Sequence, residues 1–189
     1  MKIYGDSNSG NCLKVKWACD YLRKPYEWVA VDTMKGETRT SAFLKLNGAG
    51  QVPVLELDDG RALAQSNAII RYLAAGSDLI PRDAFAAAKM DEWLFWEQYS
   101  HEPYVAVARF QKHYLGKDVE ARIIERGYGA LQRLEDGLGE AGFLVGEGLT
   151  LADISLVAYT RVAHEGGFDL AAYPKVRAWI GRVEQALGI

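Results

Sequence analysis

Gly50-Gln51-Val52-Pro53-Val54-Leu55-Glu56-Leu57-Asp58-Asp59-Gly60-Arg61-Ala62-Leu63-Ala64-Gln65-Ser66 is the stretch that decides the fold. Val52 to Leu57 is rich in β-formers, Asp58-Asp59-Gly60 is a tight-turn sequence, and Arg61 to Ala64 returns, so the segment predicts a β-hairpin. Proline is compatible with the opening of a strand, where no ladder donor is needed. Ser66 is a good N-cap type and opens a helix to Ala75, with Ile69, Ile70, Tyr72 and Leu73 available for burial.

Working back toward Met1, Arg39 to Leu46 can form a short helix, and Tyr26 to Val31 is a strand by its alternation. Asn11 to Leu22 has helical spacing, with Val15, Ala18, Cys19 and Leu22 on one face, and Lys2 to Gly5 is a first strand ending in glycine. The order is βαβαββα. A helix between the first two strands implies a parallel crossover, and the hairpin implies an antiparallel pair, so a small mixed α/β sheet follows. Working forward, strand signals vanish after Gly76. Residues 77–83, with Pro81, read as a linker. Beyond it come helices over Ala84 to His113 (Pro103 a kink or break), Asp118 to Leu138, Thr150 to His164 and Pro174 to Leu187, with a glycine-bearing loop at Gly142 to Gly148. The expected division is therefore an α/β domain over 1–76 and an all-α helical bundle over 84–189.

The 189 residues carry 22 Lys+Arg against 25 Asp+Glu. Up to Ile80 the basic and acidic counts are 10 and 9, and after it 12 and 16, so neither half offers the basic surface that nucleic acid requires. Charges interrupt each apolar run before it could span a bilayer, and no apolar leader precedes the first strand. Cys12 and Cys19, if on one helix, are separated by roughly 10 Å of rise, too far for a disulfide. The chain reads as reduced and cytoplasmic.

Four constellations carry chemistry. Ser9-Gly10-Asn11-Cys12 lies where the first strand passes into a helix. A helix N-terminus has free N–H groups and positive character, and a serine hydroxyl beside it can donate to a thiolate. Both lower a thiol's pKa. Ser9 and Asn11 can equally serve only as caps. Gln51-Val52-Pro53 opens the third strand; a cis bond there would present the Val52 backbone to an extended peptide by strand addition, whereas a trans proline would be structurally ordinary. Gln65-Ser66 precedes a helix whose N-terminus can take a carboxylate, a role compatible with capping. Thr150-Leu151-Ala152-Asp153 is a capping box with Asp in place of the usual Glu, and is structural.

In this order, Ser9-Gly10-Asn11-Cys12, Gly50 to Leu57, the Gln65 to Leu73 run and Leu149-Thr150-Leu151-Ala152-Asp153-Ile154 resemble the glutathione transferase superfamily over the whole chain, in its serine-type, theta-, phi- or nu-like form. The resemblance implies a thioredoxin-like glutathione-binding domain followed by a helical domain, with glutathione as co-substrate and no metal. It implies Ser9 and Asn11 as catalytic residues near the glutathione sulfur. Gln51, Val52 and a cis Pro53 are implied for backbone pairing, Gln65 and Ser66 for the γ-glutamyl end and Arg39 for the glycine carboxylate. Relatives are usually homodimers. Four departures stand out. Thr38 replaces a frequent His or Gln. Gln65 replaces a frequent Glu, which implies a weaker ammonium contact. Asn47-Gly48 replaces Asn-Pro, which implies a looser loop. Tyr4 lies within a strand instead of the first loop.

The expected activity is attack of the glutathione thiolate on a small hydrophobic electrophile. The pocket for that electrophile is expected between the sulfur and the helical half, with Tyr99 and Tyr104 contributing. Trp93, Trp96 and Phe110 are assigned to the core; Glu97, Glu102 and Glu125 to solvated helix faces; His101, His113 and His164 to surface or packing. Ser9 and Cys12 have the spacing of a Cys-x-x-Cys with serine first, which argues against a dithiol oxidoreductase and makes Cys12 a small packing residue. Glutathione-dependent reduction of disulfides or peroxides is the alternative activity, and a non-catalytic glutathione-binding module the alternative class. Isomerisation of a maleyl-type acid fits less well, because Ser7-Asn8-Ser9-Gly10 lacks the serine-cysteine loop of that class.

Overall fold

A computed structural model describes residues 1–140 and 142–189 and divides them into two compact units, Met1–Ser77 and Asp78–Ile189. The first contains β1 (Lys2–Gly5), α1 (Gly10–Tyr21), β2 (Glu27–Ala30), α2 (Ser41–Leu46), β3 (Val54–Glu56), β4 (Ala62–Ala64) and α3 (Ser66–Leu73). The strands lie in the order β2-β1-β3-β4. β1 and β2 are parallel, in register from Lys2↔Glu27 to Gly5↔Ala30. β3 is antiparallel to both β1 and β4, with Tyr4↔Val54 and Val54↔Ala64 as partners. The hairpin turn closes through Gly60 N–H to Leu57 O at 2.9 Å. Gly60 holds a φ of +84°, a left-handed conformation that costs glycine little.

Successive strand residues face opposite sides of the sheet. Val54 packs with Val31 and Phe43 on one side, and Tyr4 meets the Phe43 ring edge-on at 6.3 Å. Ile3 and Leu55, both fully buried, face the other side, where α1 and α3 pack on one another. Cys12, Val15, Ala18 and Cys19 of α1 and Ile69 and Ile70 of α3 are all fully buried. Cys12 is thus a core residue. Burial pushes both thiols up to about 11.

The second unit contains α4 (Ala84–Trp96), α5 (Glu102–Arg109), α6 (Ala121–Gly137), α7 (Leu151–Thr160) and α8 (Pro174–Leu187). Every residue of α7 is buried, its polar Asp153, Ser155 and Thr160 included. The capping box at its start is present and does more than cap. Asp153 Oδ2 accepts the Thr150 N–H at 2.9 Å and the Thr150 hydroxyl at 3.0 Å. Its Oδ1 accepts the Leu144 N–H at 3.0 Å and the Trp179 indole N–H at 2.8 Å. One carboxylate therefore ties α7 to α8 and to the loop before it. Burial raises the Asp153 pKa from its ordinary value, and these four donors oppose the rise.

Several expectations need correction. Phe110, assigned to the core, and Tyr72, offered for burial on α3, are both exposed. Pro103 does not break the helical path: it occupies the first turn of α5, where its missing N–H is harmless. A π turn, Glu97–His101, leads into it from α4. Glu97 is no solvated charge. The wider π turn carries it to a fully buried position, where it accepts from Gln98 Nε2 at 2.7 Å and Ser155 Oγ at 3.3 Å. Glu125 is exposed as expected.

Two tests follow from this packing. Asp153→Ala orphans several buried donors, so it should destabilise the protein by about 3 kcal/mol, read as a lowered unfolding midpoint in calorimetry. Thiols at about 11 hold roughly a hundredfold less thiolate at pH 8 than ordinary cysteine. Both cysteines should therefore react with a disulfide reagent promptly only after denaturation.

Candidate active site

The sheet register gathers three motifs. β3 runs against β1 and β4, so the end of β1, the start of β3 and the end of β4 share one end of the sheet. The Ser9 loop follows the first, Val52-Pro53 precedes the second and Gln65-Ser66 follows the third. Residues as far apart in sequence as Ser9 and Ser66 are thereby placed at one end of a single sheet.

Asp6 organises the loop after β1. Its carbonyl accepts the Ser9 N–H at 3.0 Å. One carboxylate oxygen accepts the Asn8 N–H at 2.9 Å, and the other accepts the Thr33 hydroxyl at 2.7 Å. Sequence reading missed Asp6, although an aspartate two residues before an asparagine in a polar loop signals an Asx turn. Gly5 is fixed by space: a Cβ there would lie 2.5 Å from the Trp28 ring and 3.2 Å from Cys12 Cβ.

Ser9 is the N-cap residue of α1, with φ −86° and ψ 119°, yet its side chain makes no capping hydrogen bond. The Asp6 N–H donates to the Cys12 sulfur at 3.4 Å, and the Ser9 hydroxyl also acts on that thiol. Both oppose the rise that burial imposes on that thiol. Tyr4 is committed elsewhere. Its hydroxyl donates to Glu56 Oε2 at 2.7 Å, and that bond, with burial, raises its pKa.

Val52-Pro53 is a cis peptide. The β3 ladder begins only at Val54, leaving the Val52 backbone outside it. The preceding loop is held firmly, contrary to the expectation from Asn47-Gly48. Asn47 Nδ2 donates to Gln51 O at 2.8 Å, its Oδ1 accepts the Ala49 N–H at 3.1 Å, and its carbonyl accepts the Gly50 N–H at 2.9 Å. The Arg39 guanidinium lies across this loop, with Nη1 3.4 Å from Ala49 O. Gly50 leaves it room, since a Cβ there would fall 2.6 Å from that nitrogen. Arg39 and Gln51 are both exposed.

Gln65, rather than Ser66, is the N-cap of α3. Its φ of 71° and ψ of 110° are unusual for a residue with a side chain, and such strain concentrates at ligand clamps. Ser66 is the first helical residue and is nearly buried; its hydroxyl donates to Asn11 Oδ1 at 3.1 Å instead of capping. That bond joins the first turns of α1 and α3. The same oxygen accepts from Lys14 Nζ at 2.8 Å, a residue to which sequence reading assigned no role.

Within the second unit, Tyr99 and Tyr104 line a hollow of about 580 Å³ with Trp96, Ser100 and three arginines, Arg122, Arg126 and Arg133. Tyr99 is exposed and Tyr104 half-buried. His101 is fully buried, with Nε2 3.0 Å from the Thr160 hydroxyl, and His113 stacks edge-on against Tyr114. Among the described residues, no three His, Cys, Asp or Glu side chains gather as metal ligands, and no helix is long and apolar enough to cross a membrane.

Family models of the glutathione S-transferase N-terminal domain and C-terminal domain match residues 8–75 and 117–182. The chain is 32% identical to glutathione S-transferase 3 of Zea mays, over 95% of this chain and 86% of that protein. It is also 32% identical to glutathione S-transferase theta-1 of Bos taurus, over 100% of this chain and 84% of that one. The crystal structure of a glutathione S-transferase from Pseudomonas fluorescens superposes with a TM-score of 0.93 at 50% identity, covering 97% of this chain and 94% of that one. Matched in both halves and similar to these proteins over nearly its full length, the chain belongs to the glutathione S-transferase family.

Proposed function

We propose that this transferase holds glutathione at the shared end of the first unit's sheet, with its sulfur at the N-terminus of α1, and adds that sulfur to a small hydrophobic electrophile. The observation that carries the proposal is Ser9: it stands at the helix terminus with a hydroxyl that does no capping. At neutral pH a thiol at about 11 keeps its proton. The Cys12 sulfur therefore stays a neutral core atom, and the Ser9 hydroxyl, which makes no capping bond, can donate to the ligand's sulfur. The positive end of α1 and the amide of Asn11 add to this, and together they favour the thiolate.

The rest of the tripeptide follows the sheet edge. The Val52 backbone, beside cis Pro53, pairs with the cysteinyl unit as an added strand, with Gln51 at the loop's approach. The strained Gln65 and the hydroxyl of Ser66 take the γ-glutamyl end, and the Arg39 guanidinium takes the glycine carboxylate. With an aryl halide, the sulfur's electron pair forms the C–S bond, the halide leaves with its own pair, and the thiol's proton passes to solvent. The protein supplies position and a preformed set of donors. Tyr99 and Tyr104 are the side chains proposed to meet the electrophile. The reading carries with it a homodimer in the reduced cytoplasm and a detoxifying role.

Ser9→Ala should lower the conjugation kcat with an aryl halide at neutral pH at least tenfold, or about 1.4 kcal/mol of barrier. An unchanged rate would transfer the activating role to Asn11 or to the helix terminus. The same preparation assayed on a mixed disulfide separates transferase from reductase: conjugation should dominate. Gln65→Glu restores a carboxylate opposite the γ-glutamyl ammonium, so titration calorimetry should find glutathione bound several-fold more tightly.

A further inference from the structure

Asn11 Oδ1 accepts two hydrogen bonds, from Lys14 Nζ at 2.8 Å and from Ser66 Oγ at 3.1 Å. A primary amide has one accepting end and one donating end. Pinning the oxygen to Lys14 and Ser66 directs the two Nδ2 N–H bonds away from that pair. Lys14 lies one turn below Asn11 on the same face of α1 and is fully buried. Burying an ammonium is costly unless hydrogen bonds replace its water, so a lysine here is not accounted for by core packing.

Ser66 has a single proton. In the free protein it is given to Asn11; a carboxylate arriving at the start of α3 competes for it, since carboxylates only accept. An ammonium has three donors, so it can hold Asn11 while making other bonds. We infer that Lys14 is a positioning residue, which holds the Asn11 amide with its N–H groups toward the glutathione sulfur while Ser66 engages the γ-glutamyl carboxylate. The inference rests on the placement of glutathione proposed above. It assigns Lys14 an action through Asn11, distinct from the direct effect of its charge. That distinction matters, because the lysine's field does reach this turn: burial raises the Cys12 thiol, and Lys14 is among the groups that oppose the rise.

The test is a titration of the bound glutathione thiol, followed by thiolate absorbance, in wild type, Lys14→Met, Lys14→Arg, Asn11→Ala and the Asn11→Ala/Lys14→Met double variant. Wild type should titrate below the free thiol value of about 8.5. Lys14→Met should raise that value by about half a unit, roughly threefold less thiolate. Its kcat should fall in step while KM for glutathione changes less than about twofold. Lys14→Arg, which keeps a donor, should restore the wild-type value, and Lys14→Met should add nothing on the Asn11→Ala background. An unchanged titration in Lys14→Met overturns the inference, and so does an equal rise in the absence of Asn11, which would mean a direct field. If Lys14→Met does not fold, Asn11→Asp and Asn11→Leu carry the test with the lysine intact. Neither supplies the donor, so both should lose the lowered titration, and retention in either overturns the inference. A wild-type protein that leaves its glutathione thiol unshifted contradicts the underlying placement instead, and the assignment of Lys14 falls with it.

Discussion

The antiparallel register of β3 against its two neighbours is the constraint on which the site depends. Tyr4, Val54 and Ala64 are aligned across three strands, and that alignment alone brings residues 9, 52 and 66 to one end of the sheet. A slip of one residue would turn every strand side chain to the opposite face. Ile3 and Leu55 would lose their place in the core beneath α1 and α3, and Val54 its contact with Phe43. The hydrophobic pattern that stabilises the sheet therefore also aligns the site.

Upon that frame the local chemistry is built from residues that each forgo an ordinary structural role. Ser9 occupies a cap position without capping, and Ser66 reaches across to Asn11 instead of closing its own helix. Gln65 holds a positive φ that few side chains tolerate. The compensation comes from neighbours with no ligand of their own. Asp6 gathers the loop before α1, and Asn47 gathers the loop before β3. Departures from local preference at a site, balanced by satisfied hydrogen bonds around it, are what a preorganised binding surface requires.

Much of this was legible in the sequence, because it rests on local signals. The Asp58-Asp59-Gly60 turn, the alternation in Tyr26 to Val31 and the helical spacing of Val15, Ala18 and Cys19 each fix an element without reference to the rest of the chain. The capping box at Thr150 was readable for the same reason. What escaped was set by tertiary contact. Pro103 looks like a helix breaker until a π turn places it in a first turn, and the same turn buries Glu97, a charge that helical spacing alone assigns to a solvated face. Lys14 carries no local signal in the sequence; only the structure shows it holding Asn11, where α1 and α3 converge. Asn47-Gly48 reads as a loosening of the loop, and the side chain of Asn47 reverses that.

The central claim is that the sulfur of glutathione lies where the first strand turns into α1. A crystal structure of the protein with glutathione bound tests it most directly. The account predicts the sulfur within hydrogen-bond reach of Ser9 Oγ, with the cysteinyl backbone alongside Val52. A sulfur lodged elsewhere, or a Ser9 loop closed off by its own side chains, would contradict it.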